Sequence, residues 1–119
     1  MTDVEMLARP MTCIQSLVCE EFGVTLMELL SARRAKHLAR PRQIGMWLAK
    51  HTTLYSFPAI GMYFGKRDHT TVMHAIKVID GLVARGDGYG RAAAILLNRL
   101  RDDPRQADLL TSPIGAVSP

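Results

Sequence analysis

The sequence predicts an all-α fold, a bundle of about six helices that includes a helix-turn-helix. Apolar residues recur every three and four positions along most of the chain, which is typical of helices with one buried face. Residues that favour helix starts stand before these stretches, and glycines often follow them. With 119 residues, 48% of them hydrophobic and 22% charged, the chain is long enough for one compact domain.

The composition of its ends divides the chain into three parts. We predict an N-terminal tail at 1–10, a helical domain at 11–103 and a loose C-terminal tail at 104–119. The C-terminal tail starts at Pro104, contains two more prolines and has few large apolar residues.

The composition also indicates the cellular compartment of the protein. No apolar run approaches the 18 residues of a membrane span, and the acidic N-terminus does not read as a signal peptide. Cys13 and Cys19 are six residues apart in one predicted helix, so they point to different faces and cannot bridge to each other. These features predict reduced thiols and a cytoplasmic protein.

The first three helices are predicted from capping residues and from the glycines and prolines that end or begin helices. Thr12 can cap the first helix and Gly23 can end it. Thr25 and Glu28 form a capping box for a short second helix. The basic stretch 31–40 is weakly patterned and is predicted to contain a loop.

Pro41 suits the first turn of a third helix, which we predict to run to about Leu54. Ser56 is a good cap for a short fourth helix with Pro58 in its first turn, and Gly65 closes that helix.

Asp68 is the predicted cap of the fifth helix, whose apolar residues follow a 3.6-residue period: Val72, Ala75, Ile76, Ile79 and Val83. The run Gly86-Asp87-Gly88 ends it. A sixth helix is predicted at 91–103, with an apolar stripe of Ala92, Ile95, Leu96 and Leu100. This stripe could form a dimer surface, but we expect it to pack against the core.

Positive charge is concentrated in one segment. The net charge is +4, from 15 Lys and Arg and 11 Asp and Glu. Eight of these cations lie between Leu29 and Arg67, where there is no acidic residue, so the other eighty residues carry a net charge of −4. Such a distribution is typical of a protein that docks one part of itself on a polyanion.

The fourth and fifth predicted helices have the spacing of a helix-turn-helix, whose second helix enters the DNA major groove. Asp68 can accept from a cytosine amino group, and His69 can bind a purine edge. Thr70 offers a methyl group to thymine, while Thr71 is better placed for a phosphate. The alternative is an ordinary polar cap, but the neighbouring cations Lys66 and Arg67 favour DNA.

A second cationic element carries five permanent charges in the ten residues 33–42. It could be a solvated surface loop, although clustered cations repel one another unless an anion neutralises them. Arginines on a flexible loop can also enter a narrow minor groove beside the helix in the major groove. Backbone phosphate contacts are predicted for seven residues of the acid-free segment between Leu29 and Arg67: Arg33, Lys36, Arg42, Gln43, Lys50, Lys66 and Arg67.

With these residues laid out, the chain resembles the C-terminal DNA-binding domain, domain IV, of the bacterial replication initiator DnaA. The resemblance covers 11–82 and rests on four strings: Leu29-Leu30-Ser31-x-x-Arg34, Ala39-Arg40-Pro41-Arg42-Gln43, Ser56-x-Pro58-x-Ile60-Gly61 and Phe64-Gly65-x-Arg67-Asp68-His69-Thr70-Thr71-Val72-x-His74-Ala75. It implies a Trp-repressor-like bundle that binds nine-base-pair DnaA boxes. The helix at 91–103 is extra to it.

The resemblance also implies a role for individual residues. Asp68, His69 and Thr70 match the family's major-groove base contacts, and Arg34 matches its minor-groove arginine. The positions that match its backbone contacts are Arg42, Gln43, Lys50, Pro58 and Thr71.

The chain departs from the family at two points. Lys66 stands where the family usually has a second glycine, which adds charge and can alter the turn. The 119 residues also contain no Gly-x-x-x-x-Gly-Lys-Thr phosphate loop. We therefore expect a stand-alone DNA-binding module without ATPase activity, although a fragment of a longer protein is the alternative.

The functional prediction is sequence-specific binding to double-stranded DNA at DnaA-box-like sites, in the nucleoid, regulating replication initiation or transcription. The rival hypothesis is a protein-interaction module that binds the initiator or its regulators. Neither an enzyme nor a cofactor is predicted, because the basic segment lacks carboxylates and cannot form a paired acid and base. No metal site is predicted, because His69 and His74 lie about 140° apart on one helix. The oligomeric state is not predicted.

Overall fold

Six helices make up the computed structural model, which describes residues 3–102, with side chains from Met11 onward. The predicted all-α fold is confirmed, since these residues include no strand. The predicted tail at 104–119 lies outside them. The helices are α1 Asp3–Phe22, α2 Leu26–Leu30, α3 Lys36–Thr52, α4 Phe57–Met62, α5 His69–Arg85 and α6 Gly88–Asp102.

The start of α1 differs from the prediction. The helix begins at Asp3, so residues 3–10 of the predicted tail are helical, and Thr12 lies inside the helix rather than at its N-cap. A threonine can bond to nearby backbone both within a helix and at its start, so residue type alone did not distinguish the two positions. Gly23 ends the helix as predicted, with the left-handed φ of +64° that suits glycine.

The capping box of α2 is confirmed. The Glu28 amide donates to Thr25 Oγ1, and the Thr25 amide donates to Glu28 Oε1, both at 3.0 Å. The bond from the Thr25 amide, and secondarily one from Thr25 Oγ1 to Glu28 Oε1 at 3.2 Å, are the main reasons that the pKa of Glu28 lies below its ordinary value. The box fixes the chain at the entrance to the basic segment.

Helix α3 begins one turn earlier than predicted. Lys36 is its first residue, and Pro41, expected in the first turn, lies inside the helix. The cap residue Ala35 offers no side-chain hydrogen bond, so the extra turn depends on tertiary contacts. Leu38 provides them, because its side chain is completely buried.

The connection between α4 and α5 is a tight turn. Ser56 caps α4 and Asp68 caps α5, both as predicted. Two consecutive residues in the turn are left-handed, Gly65 at φ +93° and Lys66 at φ +61°. The turn is held at its end by a hydrogen bond from the Arg67 amide to the Gly61 carbonyl, 3.0 Å long.

Helix α3 lies at the centre of the core and packs against α1, α4, α5 and α6. Trp47 joins it to α5 by donating from Nε1 to Asp80 Oδ1 at 2.8 Å. Gln15 joins α1 to the helix-turn-helix by donating to the Tyr63 carbonyl at 2.7 Å. The packed helices therefore form one frame, to which the basic segment and the helix-turn-helix, both predicted to contact DNA, are attached.

Helix α6 extends this frame beyond α5. It begins at Gly88, slightly earlier than predicted, and buries Leu96 and Leu100 against the core. Ile95, from the same predicted stripe, is 58% exposed, so the stripe faces the core only in part. Cys13 and Cys19 are both free thiols. Within residues 3–102, no helix has the length and apolar character needed to cross a bilayer.

Candidate nucleic-acid interface

The structure brings the two cationic elements together on one face. The segment between α2 and α3, residues 31–35, is called the arm below. A cleft of about 310 Å³ separates the arm from α5. Its lining residues are Ala32, Arg34, Ala35, Ala39, Arg42, Gln43, Met46, Arg67, Thr71, His74 and Ala75.

Arg42 holds the arm in place from beneath. Its guanidinium donates to four backbone carbonyl oxygens and one hydroxyl. The acceptors are Leu29 O at 2.8 Å, Arg33 O at 2.5 Å, Glu28 O at 2.9 Å, Ser31 O at 2.8 Å and Ser31 Oγ at 3.1 Å. One side chain thus satisfies most of the backbone acceptors between the end of α2 and the arm.

This placement corrects the prediction that Arg42 contacts a phosphate. The residue is only 6% exposed, and its donors point into the protein. Burial, and secondarily the charge of Arg67, lower its pKa. The spacing in the sequence could have indicated this burial, because Arg42 follows the buried Leu38 by one helical turn and therefore lies on the same face of α3.

Arg67 has a similar position at the other side of the arm. Its Nη2 donates to the Ser31 carbonyl at 2.9 Å, which ties the turn before α5 to the arm. The side chain is half-buried, so part of the guanidinium faces solvent. Arg67 therefore combines a structural contact with an accessible charge.

Most of the other predicted backbone contacts have exposed side chains: Arg33, Lys36, Lys50, Pro58, Lys66 and Thr71. The minor-groove candidate Arg34 is also exposed and lines the cleft. Gln43 is half-buried and accepts from Arg40 Nη1 at 2.6 Å, so its amide nitrogen keeps its donors. Lys50 stands about 21 Å along α3 from Lys36, so these two would reach different stretches of a backbone.

The first turn of α5 presents a defined set of polar groups. Asp68 Oδ1 accepts from the Thr71 amide at 2.9 Å and from Thr70 Oγ1 at 2.7 Å. These bonds, that from Thr70 being the largest cause, lower the pKa of Asp68 to about 2. At neutral pH this side chain is an acceptor only. His69 is exposed beside it.

The bond between Thr70 and Asp68 fixes what Thr70 can offer to a ligand. Its hydroxyl proton is engaged, so the oxygen can only accept, and the methyl group stays available. An acceptor carboxylate, an acceptor hydroxyl and a methyl group are all suited to base edges in a major groove.

No role was predicted for His74. It lies three residues after Thr71 on α5, is exposed and lines the cleft. Its position relative to the arm was the missing information, and only the tertiary structure supplies it. Within residues 11–102, no cluster of His, Cys, Asp and Glu could hold a metal ion.

Comparison with known proteins decides the family. The family model described as the bacterial dnaA protein helix-turn-helix matches residues 11–79, more than half of the chain. The chain belongs to this DnaA helix-turn-helix family. The match includes the arm, the cleft and the first turns of α5.

Individual relatives agree with this assignment. Residues of this chain are 45% identical over 89 positions to a chromosomal replication initiator protein DnaA of Rhodopseudomonas palustris strain BisB18, covering 75% of this chain and 19% of that protein. A DnaA protein of Dechloromonas aromatica is 43% identical over 88 positions, covering 74% and 19%. The chain therefore spans about a fifth of the length of these relatives.

A solved structure shows the same fold. The crystal structure of a DNA replication initiation factor superposes with a TM-score of 0.69 at 24% sequence identity. The similarity covers 80% of this chain and 29% of the other. The DnaA-type helix-turn-helix bundle is thereby supported by shape as well as by sequence.

Proposed function

We propose that this chain binds double-stranded DNA at DnaA-box-like sites and so regulates replication initiation or transcription. The start of α5 lies in the major groove, and the arm lies in the adjacent minor groove. The observation that carries this proposal is the common anchoring of both elements: Arg42 and Arg67 fix the arm beside α5 by hydrogen bonds within the protein. Preorganisation of this kind lowers the cost of binding.

The first turn of α5 supplies the sequence preference. Asp68 accepts from a cytosine amino group, Thr70 contacts a thymine methyl and His69 contacts a purine edge. The N-terminus of a helix also favours nearby phosphates, which the Thr71 hydroxyl contacts. Each of these groups is exposed.

The exposed cations supply affinity that does not depend on sequence. Arg33, Lys36, Lys50 and Lys66 make no ion pair with any residue from 11 to 102, so they remain free to neutralise phosphates. Arg34 enters the minor groove, where a narrow groove strengthens the attraction for arginine. The regulatory effect that we propose for these residues is occupation of the boxes.

A binding titration tests this proposal. The chain is titrated against a duplex with a nine-base-pair DnaA box and against a shuffled duplex of the same composition, at about 50 and about 200 mM salt. We expect at least a tenfold preference for the box at both concentrations and weaker binding of both duplexes at the higher one. Equal affinity for the two duplexes would contradict sequence-specific binding and favour a protein-interaction role.

A further inference from the structure

We propose that the exposed face of α2 is a contact surface for a second copy of this chain, formed when two copies bind neighbouring boxes. The two copies meet through the same face, with their α2 helices antiparallel, and are related by a two-fold axis. This inference rests on the proposed function and adds a protein partner to it, because DNA brings the two copies together.

Helix α2 carries three large apolar side chains that no residue from 11 to 102 covers completely. Leu26, Met27 and Leu30 are 49%, 83% and 37% exposed. Their spacing of one and four residues places them on one face of the helix, whereas Leu29 points into the core and is completely buried. Neighbouring apolar side chains exposed on one face are typical of an interaction surface.

Charges of opposite sign flank this face. The exposed Glu20 and Glu21 lie in the last turn of α1, before α2, and the exposed Arg33 and Lys36 follow α2. Glu21 has one weak ion pair, with Arg99 Nη1 at 3.9 Å. Rotation by 180° about an axis through the face places the acidic end of one copy opposite the basic end of the other. A surface that is complementary to itself in this way favours a second copy as its partner.

The size of the face explains why DNA is required. Together, the exposed parts of Leu26, Met27 and Leu30 amount to less than two complete side chains. A stable protein interface buries about 800 Å² on each partner. The face is therefore too small to hold a dimer in dilute solution. Two copies held side by side on DNA reach a local concentration in the millimolar range, at which a weak contact forms.

The position of α2 determines which arrangement of boxes brings the two faces together. The helix leads directly into the arm, and Arg42 holds this junction by donating to the Glu28 and Ser31 carbonyls at 2.9 and 2.8 Å. In the proposed complex α2 therefore lies at the end of the box that the arm contacts. Two boxes must be inverted, with these ends facing each other. Copies on direct repeats present different faces to each other and cannot form a two-fold contact.

Cooperative binding to paired boxes tests this contact. The chain is titrated against duplexes with one box, with two boxes inverted as described, and with two direct repeats, and the gap is varied over about one helical turn of DNA. At one or more gaps, we expect the second copy to bind inverted boxes at least about fivefold more tightly than a single box. Direct repeats should show no cooperativity. Equal behaviour of inverted and direct repeats at every gap would overturn the inference.

Two matched substitutions locate the contact on the protein. Met27→Ser removes the most exposed side chain of the face, so it should abolish the cooperativity and leave the affinity for a single box unchanged. Ile95→Ser is the control, because Ile95 is 58% exposed but belongs to α6. A loss of cooperativity in Ile95→Ser but not in Met27→Ser would assign the contact to α6 and contradict the inference.

Reversal of the acidic end tests the charge complementarity. Glu20→Lys combined with Glu21→Lys places two basic ends opposite each other, so the cooperativity should again be lost. The stronger general attraction of this variant to DNA cancels, because cooperativity is the ratio of the affinities of the second and the first copy for the same duplex. Unchanged cooperativity would exclude the antiparallel arrangement.

A measurement without DNA separates this inference from the proposed function. In NMR spectra of the chain alone, the methyl resonance of Met27 should shift as the protein concentration enters the millimolar range. The methyl resonance of Met62, which is 60% exposed on α4, should stay in place. A stationary Met27 resonance would count against the contact, whereas equal affinity for box and shuffled duplex would contradict only the proposed sequence specificity.

Discussion

Arg42 and Arg67 donate hydrogen bonds to the same acceptor, the carbonyl oxygen of Ser31, at 2.8 and 2.9 Å. Arg42 belongs to α3, and Arg67 belongs to the turn before α5. A single peptide group of the arm is therefore bonded to both elements that flank the cleft. The geometry of the interface thus depends on two arginines that, judged by charge alone, would be predicted to contact DNA.

Replacing Arg42 should destabilise the fold. Arg42→Ala removes the guanidinium bonds to five acceptors and leaves the Leu29 and Arg33 carbonyls without a donor from residues 11–102, so we expect a loss of about 3–4 kcal/mol in the free energy of unfolding. Arg42→Lys should recover only part of it, because an ammonium group cannot span the same acceptors. Urea unfolding measures the change.

Arg33→Ala is the control for this prediction. Arg33 is exposed and its side chain forms no hydrogen bond with residues 11–102, so its removal should change stability by no more than about 0.5 kcal/mol. If Arg42→Ala were as stable as Arg33→Ala, the structural role of Arg42 would be excluded.

Gly61 should be intolerant of a side chain. A Cβ at this position would lie 2.0 Å from the Arg67 carbonyl oxygen, so Gly61→Ala should cost about 2–3 kcal/mol by forcing the turn away from α4. Gly81→Ala is the matched control in α5, where the nearest atom is the end of Arg85 at 3.9 Å. That control should gain about 0.5–1 kcal/mol, as alanine favours helices. Equal effects in thermal unfolding would contradict the close approach.

Lys66 combines backbone strain with an exposed charge. Its φ of +61° is unfavourable for a residue with a Cβ, so Lys66→Gly should raise the free energy of unfolding by about 1 kcal/mol. The same variant should bind DNA less tightly and lower the slope of log affinity against log salt by about 0.9.

Lys50→Ala tests the loss of one phosphate-binding charge at a site without backbone strain. It should reduce the salt slope by a similar amount and leave stability nearly unchanged, since Lys50 is exposed on a regular helix. A Lys66→Gly variant that kept the full salt slope would remove Lys66 from the phosphate contacts.

The methyl group of Thr70 can be tested separately from its hydroxyl. Thr70→Ser keeps the bond to Asp68 but lacks the methyl, so it should lose about 1 kcal/mol on the box and little on the shuffled duplex. Thr70→Ala should lose about 1–3 kcal/mol on the box. An equal loss on both duplexes in the titration would argue against base reading by Thr70.

The cap of α5 should make stability depend on pH in the acid range. The pKa of Asp68 is lowered from 3.8 to about 2, so its charge stabilises the folded state above pH ~4. This contribution is lost as pH falls from ~4 through ~2. Asp68→Asn keeps an acceptor for the Thr71 amide but has no charge.

The difference in unfolding free energy between wild type and Asp68→Asn isolates this effect, because all other acids are common to both. We expect the difference to be constant from pH ~7 to pH ~5 and to shrink towards pH ~2. A difference that did not vary with pH would show that the charge of Asp68 plays no part in folding.

Local patterns in the sequence predicted much of the fold. The capping box of Thr25 and Glu28 and the cap at Asp68 depend on residues within three positions of each other, so residue type and spacing determine them. The start of α3 was missed for the opposite reason. Its first turn has no side-chain cap and is held by the burial of Leu38, which depends on contacts far along the chain.

The candidate site divides in the same way. The exposed groups of α5 were predicted because a helix-turn-helix presents its first turn to a ligand. His74 was missed because its relation to the arm is tertiary. Whether these residues contact DNA stays a prediction, which the titrations above test.

The sequence by itself determined that this chain forms a basic helix-turn-helix bundle, because periodicity, caps and clustered charge are written in neighbouring residues. Only the tertiary structure decided which cations face outward. A guanidinium on a helix looks the same in the sequence whether it meets phosphates or carbonyls. The Arg42 guanidinium bonds to carbonyls at the end of α2 and in the arm, because a buried acceptor that lacks a donor is costly to the folded state.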